Sequence, residues 1–348
     1  MKRNPRTKGG FRREGRCLSW TAFRTGLITP DYNQFPKFPY SAKNWWVSLR
    51  TPNDDEGWRG GLSVSGKRGR TVVHPNKEIM IHAQSEVVAQ KAANSIFNAL
   101  LLVQNWGGLI GAEPVVTVVH RTSKPSAASE LTIGPPAGTF SAMGLPLACL
   151  VAARASYRLR FAYALAQLRL SYEMSSVAAV ALDPHHSPNI PKSPYLEDHV
   201  RLGYAIVLAY AAIEQMGLEV RASERTPSRL GGEWNPVVLQ DLKTRLSKCK
   251  VDVDETFLWM VRGSQTAIEK DRPPKRLRKA RWARYNVRDA EMSVVDAIAH
   301  VSWLRDKVAV HGVSPRRIRA LSVYDVENAR SLARHLLLQA MGLWKRLR

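Results

Sequence analysis

The sequence predicts an α+β protein in two parts, a small antiparallel sheet with a helix followed by an all-α helical bundle. Three observations carry that expectation. Residues 43–83 read as short apolar runs, NWWVSLR, GLSVSG, TVVH and EIMIHA, broken by Asn, Asp, Gly and Pro, which is the punctuation of a sheet. From residue 146 onward, Ala- and Leu-rich stretches repeat apolar residues at three- and four-residue spacing, the period of a helix with a buried face. Between them, 122–145 is rich in Ser, Pro, Gly and Ala, the composition of a linker.

Taken in order, residues 1–40 mix Arg, Lys, Gly and Pro without periodicity and are expected to form a basic irregular arm. A small α+β domain should fill 41–121. Its first run carries Trp45 and Trp46, which in a strand either pack a core or stack nucleic-acid bases. Ser85 then precedes a helical pattern at Val87, Val88, Ala92, Ile96, Phe97, Leu100 and Leu101, and EPVVTVVHR at 113–121 reads as one more strand. After the 122–145 linker, the helical domain is expected over 146–348. Residues 147–182 suit one or two helices, and DPHHSPNIPKSP at 183–194 is a Pro-rich loop. The segment 196–219 is apolar on nearly every side, as a central bundle helix would be. Farther on, Asn286 reads as the cap of a long helix through Val294, Val295, Ile298 and Val301, with Gly312 as its stop signal. The last helix has Asp325 as its expected cap, and its apolar stripe from Val326 to Trp344 either seals the bundle or forms a dimer contact.

Charge narrows the function classes. The chain of 348 residues carries a formal net charge of +23, unevenly spread. Residues 1–70 hold fifteen Lys/Arg against five Asp/Glu and residues 271–348 hold eighteen against seven, so the two ends supply almost all of the excess. Concentrated positive charge favours polyanions such as RNA, DNA or anionic lipid, through counterion release and steering. Cys17, Cys149 and Cys249 fit neither a disulfide framework nor paired metal ligands, which points to a reducing interior. The basic N-terminal residues lead into no apolar signal region, and the most apolar stretches are interrupted or too short to span a bilayer. A cytoplasmic protein with no membrane association is expected. The metal-capable residues His185, His186, Asp198 and His199 match no zinc spacing, so neither metal nor other cofactor is expected.

The segment LRDKVAVHG at 304–312 holds the strongest chemical signal. Arg305 offers a planar, permanently charged fork suited to phosphate, and His311 can exchange a proton near neutral pH. Six positions along an unbroken helix turn the chain by roughly 600°, which leaves the two side chains about 120° apart. They converge only if His311 lies beyond the helix end, or if two copies share one cleft across a symmetric contact. Glu214, within the apolar 196–219 segment, calls for a partner, Arg305 among the candidates; the alternative is a carboxylate at a helix end, partly solvated or met by local donors. Upstream, DRPPKRLRKARWAR at 271–284 carries seven Lys/Arg against Asp271 alone. Lys275, Arg276, Arg278, Lys279, Arg281 and Arg284, with Trp282 for stacking, either guide a phosphate backbone or form a solvated face.

An Arg, a polar residue and then a His four to six residues beyond the Arg, at the end of a helix, resembles the signature of the HEPN superfamily, with Asp306 in the polar slot. SPYLEDHVRLGYAIVLAYAAIEQMGLEVRAS (193–223), WNPVVLQDLKTRL (234–246) and YDVENARSLARHLLLQAMGLW (324–344) look like its companion segments, and the likeness covers roughly residues 146–348. The resemblance implies a homodimeric helical domain acting on RNA as a metal-independent endoribonuclease of toxin or phage-defence type; a cognate inhibitor is a candidate further partner. It also implies the roles of His311 as general base or acid and of Arg305 stabilising the phosphoryl charge; Asp306 either orients one of them or is a solvent-facing acid, and Glu214 is the candidate residue behind them. Two alternatives stay open, a non-catalytic RNA- or nucleotide-binding dimerisation module and an interaction scaffold.

Overall fold

The computed structural model describes residues 18–29, 40–50, 62–66, 69–104, 120–121, 139–141, 144–179, 196–262, 276–282, 287–306, 321 and 323–344. It divides into two compact units, 1–162 and 163–348. Both helices and antiparallel sheets are present, as the composition and patterning imply.

Unit 1 is a sheet carrying two helices. The strands are β1 (Leu18–Thr29), β2 (Tyr40–Ser41), β3 (Trp45–Arg50), β4 (Leu62–Gly66), β5 (Gly69–Ala83), β6 (His120–Arg121) and β7 (Thr139–Ser141). Their order is β2-β3-β5-β1-β6, with β4 also paired to β5 and β7 lying parallel to β1. TVVH and EIMIHA prove to be one long strand, β5, whose neighbour β1 shifts register between Thr25 and Leu27 opposite the Pro75 region. Pro lacks the N–H a ladder needs, so a long strand passes through it only at such an irregularity. Helix α1 (Glu86–Gln104) begins just after Ser85 and packs on β1, β3 and β5. Its buried residues Ala89, Ala92, Ala93, Ile96, Ala99 and Leu100 keep the three- and four-residue spacing read from the sequence. Helix α2 (Gly144–Ala155) packs on α1, and its C-terminal Ser156 hydroxyl accepts from the Lys43 N–H at 3.1 Å.

Two expectations change here. Residues 18–29 of the expected basic arm form β1, the strand beside β5, because its Thr and aromatic content favours an extended chain that β5 pairs along its length. The expected domain start at 146 falls within α2, which belongs to unit 1; the division comes after residue 162, near the start of α3 (Leu159–Ala179). Of the expected strand 113–121 the structure describes His120–Arg121 only, and most of the linker lies outside the described residues.

Unit 2 contains the rest of α3 with α4 (Leu196–Gln215), the β8–β9 hairpin (Arg229–Leu230 and Glu233–Trp234), α5 (Pro236–Lys248), strands β10 (Thr256–Arg262), β11 (Arg276–Trp282) and β12 (Val287–Ser293), then α6 (Val294–Trp303) and α7 (Val323–Ala340). The C-terminal part is therefore not all-α. A three-stranded antiparallel sheet, ordered β10-β12-β11, accompanies its helices. Residues 287–293, expected as the first turns of a helix capped by Asn286, form its middle strand, paired on both sides. The helix begins instead after Ser293, whose side chain accepts from the Asp296 N–H at 3.1 Å.

The core of unit 2 is built around α7, not around the 196–219 segment. Helix α7 packs on α4, α6 and β10 and buries Val326, Ala329, Leu332, Ala333, Leu336 and Leu337 completely, so its stripe is spent inside the unit. Asp325, the expected cap, lies within the helix and is buried. Helix α4, in contrast, leaves Val200 and Tyr204 largely exposed. Polar residues on α7 are matched to its neighbours. The Asn328 amide accepts from the Met260 N–H at 2.9 Å and donates to the Met260 carbonyl at 2.8 Å, closing backbone groups at the edge strand β10. Arg330 donates to Ser175 Oγ at 2.6 Å and Glu327 Oε2 at 2.8 Å while lying over the Tyr172 ring, which ties α7 to α3.

Candidate functional site

Helix α6 presents Arg305 at its end. Leu304 is fully buried and anchors the last turn, which widens to π geometry over 304–306. The Arg305 guanidinium donates through Nε to Asp306 Oδ1 at 2.7 Å and through Nη1 to Glu214 Oε1. It also lies over the Tyr210 ring, 4.5 Å from guanidinium carbon to centroid. Tyr210 and Glu214 sit one turn apart on α4, so together they form a shelf: a ring beneath and a carboxylate beside the cation.

The shelf is fixed from below. Helix α4 closes on Gly217, at φ 73°, with Leu218 N–H donating to Ile213 O at 3.2 Å and Gly217 N–H to Glu214 O at 2.8 Å. Arg245 of α5 then donates to the carbonyls of Gly217 at 2.5 Å and Glu219 at 2.8 Å. The Tyr210 hydroxyl accepts from the Val220 N–H at 3.2 Å, and burial pushes its phenol above the usual range despite that bond, the Ser302 hydrogen bond and the nearby Arg305.

Arg305 is part-exposed, at 28% of its side-chain surface, against 40% for Glu214 and 37% for Asp306. Partial desolvation pulls its pKa down, but the hydrogen bond and charge of Asp306 and the charge of Glu214 more than reverse this, leaving it above the ordinary guanidinium value. Its Nη2 makes no hydrogen bond among the described residues and is not sealed from solvent. The site is a permanently charged fork, held on two sides, with donors to spare.

The opposite end of α6 carries a second Arg–carboxylate cluster. Asp296 accepts from Trp234 Nε1 at 2.7 Å, Arg229 Nη2 at 2.9 Å and the Ser293 hydroxyl at 2.7 Å, while Arg229 stacks over the Trp234 ring. Burial raises the Asp296 pKa, yet the hydrogen bonds from Ser293 and Trp234 and the charge of Arg229 bring it below the usual value. This cluster fastens the β8–β9 hairpin to the start of α6.

The structure thus brings Arg305, Asp306 and Glu214 together. Of the acids near Arg305 in the sequence, Asp296 is committed to Arg229 and Glu291 lies on β12. Arg276, Arg278, Lys279, Arg281 and Trp282 belong to β11, whose register against β12 breaks between Leu277 and Ala280 and again before Trp282. His311, Lys275 and Arg284 lie outside the described residues. Sequence reasoning missed the role of Tyr210; its place four residues before Glu214 was the available signal. Among the described residues, no group of three or more His, Cys, Asp or Glu is arranged to hold a metal, with His199 buried and Asp198 near Arg201 at 3.7 Å. No described helix is long and apolar enough to cross a membrane. No protein-family model, no curated protein and no solved structure matches this chain.

Proposed function

We propose that the chain is a metal-independent endoribonuclease in which Arg305 clamps a phosphate and His311 carries the proton. The observation that supports this reading best is the state of Arg305, a guanidinium oriented by Asp306, Glu214 and the Tyr210 ring that keeps Nη2 uncommitted and reachable from solvent. Fixing a cation in advance of its ligand removes reorganisation from the reaction step. In the proposed reaction an RNA 2′-oxygen loses its proton to His311 and attacks the adjacent phosphorus. The bond to the 5′-oxygen breaks as that oxygen gains a proton, from His311 or from the same residue of a second copy. The products are a 2′,3′-cyclic phosphate and a 5′-hydroxyl, with Arg305 balancing charge on the phosphoryl oxygens. Residues 271–284, with seven Lys/Arg, would guide the strand. A homodimer, a cognate inhibitor and a reducing cytoplasmic setting, in which Cys149 and Cys249 remain thiols, complete the proposal.

One observation favours a second reading. Glu214 and Asp306 together outnumber Arg305 in charge, so the triad as a whole is acidic and opposes the further negative charge that builds on a phosphoryl group during cleavage. That suits an RNA- or nucleotide-binding module that does not cleave. End-labelled RNA incubated with the protein in EDTA separates the two. Cyclic-phosphate ends that vanish in His311→Ala and Arg305→Ala support the nuclease; a mobility shift without new ends supports the binding module; neither result leaves the scaffold.

A further inference from the structure

We propose that unit 1 carries its own nucleic-acid contact, in which the sheet face bearing Trp46 stacks a base of a single strand. The proposal does not depend on Arg305 or His311.

Strand alternation divides the two Trp residues of the NWWV run. Trp45 and Val47 pair in register with Ala83 and Ile81, and all four are buried, on the same face as Ile79. Trp46 and Ser48 lie on the opposite face, where Ser48 pairs with the buried Met80 and Trp46 sits directly across from the part-buried His82. The Trp46 and His82 rings are parallel within 8°, with centroids 3.4 Å apart. Ser48 Oγ and His82 Nε2 share a hydrogen bond of 2.8 Å, which stops the imidazole from turning. Burial lowers the His82 pKa to about 4, so the pair is a neutral stack at physiological pH.

Trp46 itself is only part-buried. Its one described ring partner is His82, and its indole N–H makes no hydrogen bond among the described residues and is not sealed from solvent. On its other side Trp46 pairs with the exposed Ser41 of β2, and the turn between β2 and β3 exposes Lys43 and Asn44. The geometry therefore offers a rigid ring, already stacked on one side, with a donor at its edge.

The chemistry of this platform selects its occupant. A cage for a quaternary ammonium needs several rings set at angles, whereas this pair is flat, and residues 1–162 hold 22 Lys/Arg against 9 Asp/Glu, which repels a cationic ligand. A nucleic-acid strand matches both features: a planar base for the indole, and phosphates for the exposed Lys43 and the net positive charge of residues 1–162. Because the ring is held by His82 and Ser48 beforehand, little side-chain freedom is lost on binding.

The test is equilibrium binding of the full chain to uncleavable, labelled 2′-O-methyl oligouridine of about twelve nucleotides, and to an abasic strand of equal length and charge. Wild type should prefer the base-bearing strand by about tenfold, the size of one base–aromatic stack. Trp46→Ala should abolish that preference and leave abasic binding unchanged, while Trp46→Phe keeps most of it. Should Trp46→Ala fail to fold, Trp46→Leu, which retains apolar bulk without a π-face, should lose the preference that Trp46→Phe retains. The preference should persist in Arg305→Ala, which separates this contact from the proposed nuclease site. Equal binding of the two strands by wild type, or an equal fall for both strands in the Trp46 variants, overturns the proposal.

Discussion

The two ends of α6 hold the same pair of functional groups put to opposite uses. At the N-terminal end a carboxylate is the hub: Asp296 receives three side-chain donors within 2.7–2.9 Å. At the C-terminal end a guanidinium is the hub, and its two carboxylates leave Nη2 unspent. A hub whose hydrogen bonds are mostly met is a fastening. A hub with donors left over and water at its edge can exchange a partner for a ligand. Saturation, more than the presence of an ion pair, separates the two.

Substitutions at the two hubs should therefore diverge. Arg305→Ala is expected to lower cleavage by roughly a hundredfold or more while moving the melting temperature little, since a part-exposed pair contributes about 1 kcal/mol or less. Parallel cleavage and melting curves check this, and a large fall in both would erase the distinction between the two ends. Asp296→Ala should behave inversely: the carboxylate is itself 38% exposed, but its loss strands the Trp234 donor and the Arg229 guanidinium, only 14% exposed, and costs about 1.5 kcal/mol in urea unfolding, with cleavage per folded molecule unchanged. The acid limb sharpens the same contrast. Asp296 has a folded pKa below its ordinary 3.8, so its contribution is fully present above that pH and is lost as pH falls through the folded value. Melting points at pH 5 and pH 3 should thus lie closer together in Asp296→Asn than in wild type. Glu214→Gln should have a smaller effect, tightening uncleavable RNA about threefold by removing one exposed negative charge beside the clamp. Finally, Lys250 closes α5 at φ 61°, with Val251 N–H donating to Leu246 O at 3.0 Å. Lys250→Gly should stabilise the fold by about 1 kcal/mol and leave cleavage untouched, a remote control for reading stability apart from activity.

Where the sequence was legible, the signal was local and repeated. The helix after Ser85, the two helices that cover most of 147–182 and the final helix all follow apolar spacing, because one buried face imposes a period that any window reveals. The pattern S-x-x-D at 293–296 marks the true start of α6, since Ser293 and Asp296 bond one another across the first turn. Residues 287–293 misled for an equally physical reason. Val287, Ala290 and Met292 fit a helical period about as well as a strand period, and what settles the matter is pairing with β10 and β11, thirty-odd and about ten residues away. Residues 18–29 were hidden in the same way, their extended pattern swamped by flanking charge until β5 is set beside them.

For the candidate site, the sequence alone determined that a guanidinium and an imidazole lie six positions apart in a strongly basic chain, and that Glu214 needed a partner, because charge and cost of burial belong to residue types. Only the tertiary structure decided that Glu214 meets Arg305 over the Tyr210 ring, and that Asp296 is occupied by Arg229. Arg305 is 91 residues from Glu214 and Asp296 is 67 from Arg229. Contacts at such separations form only when the packing of α4, α6 and α7 closes the chain on itself, and no local pattern of apolar and charged residues encodes which cation that closure will bring to which acid.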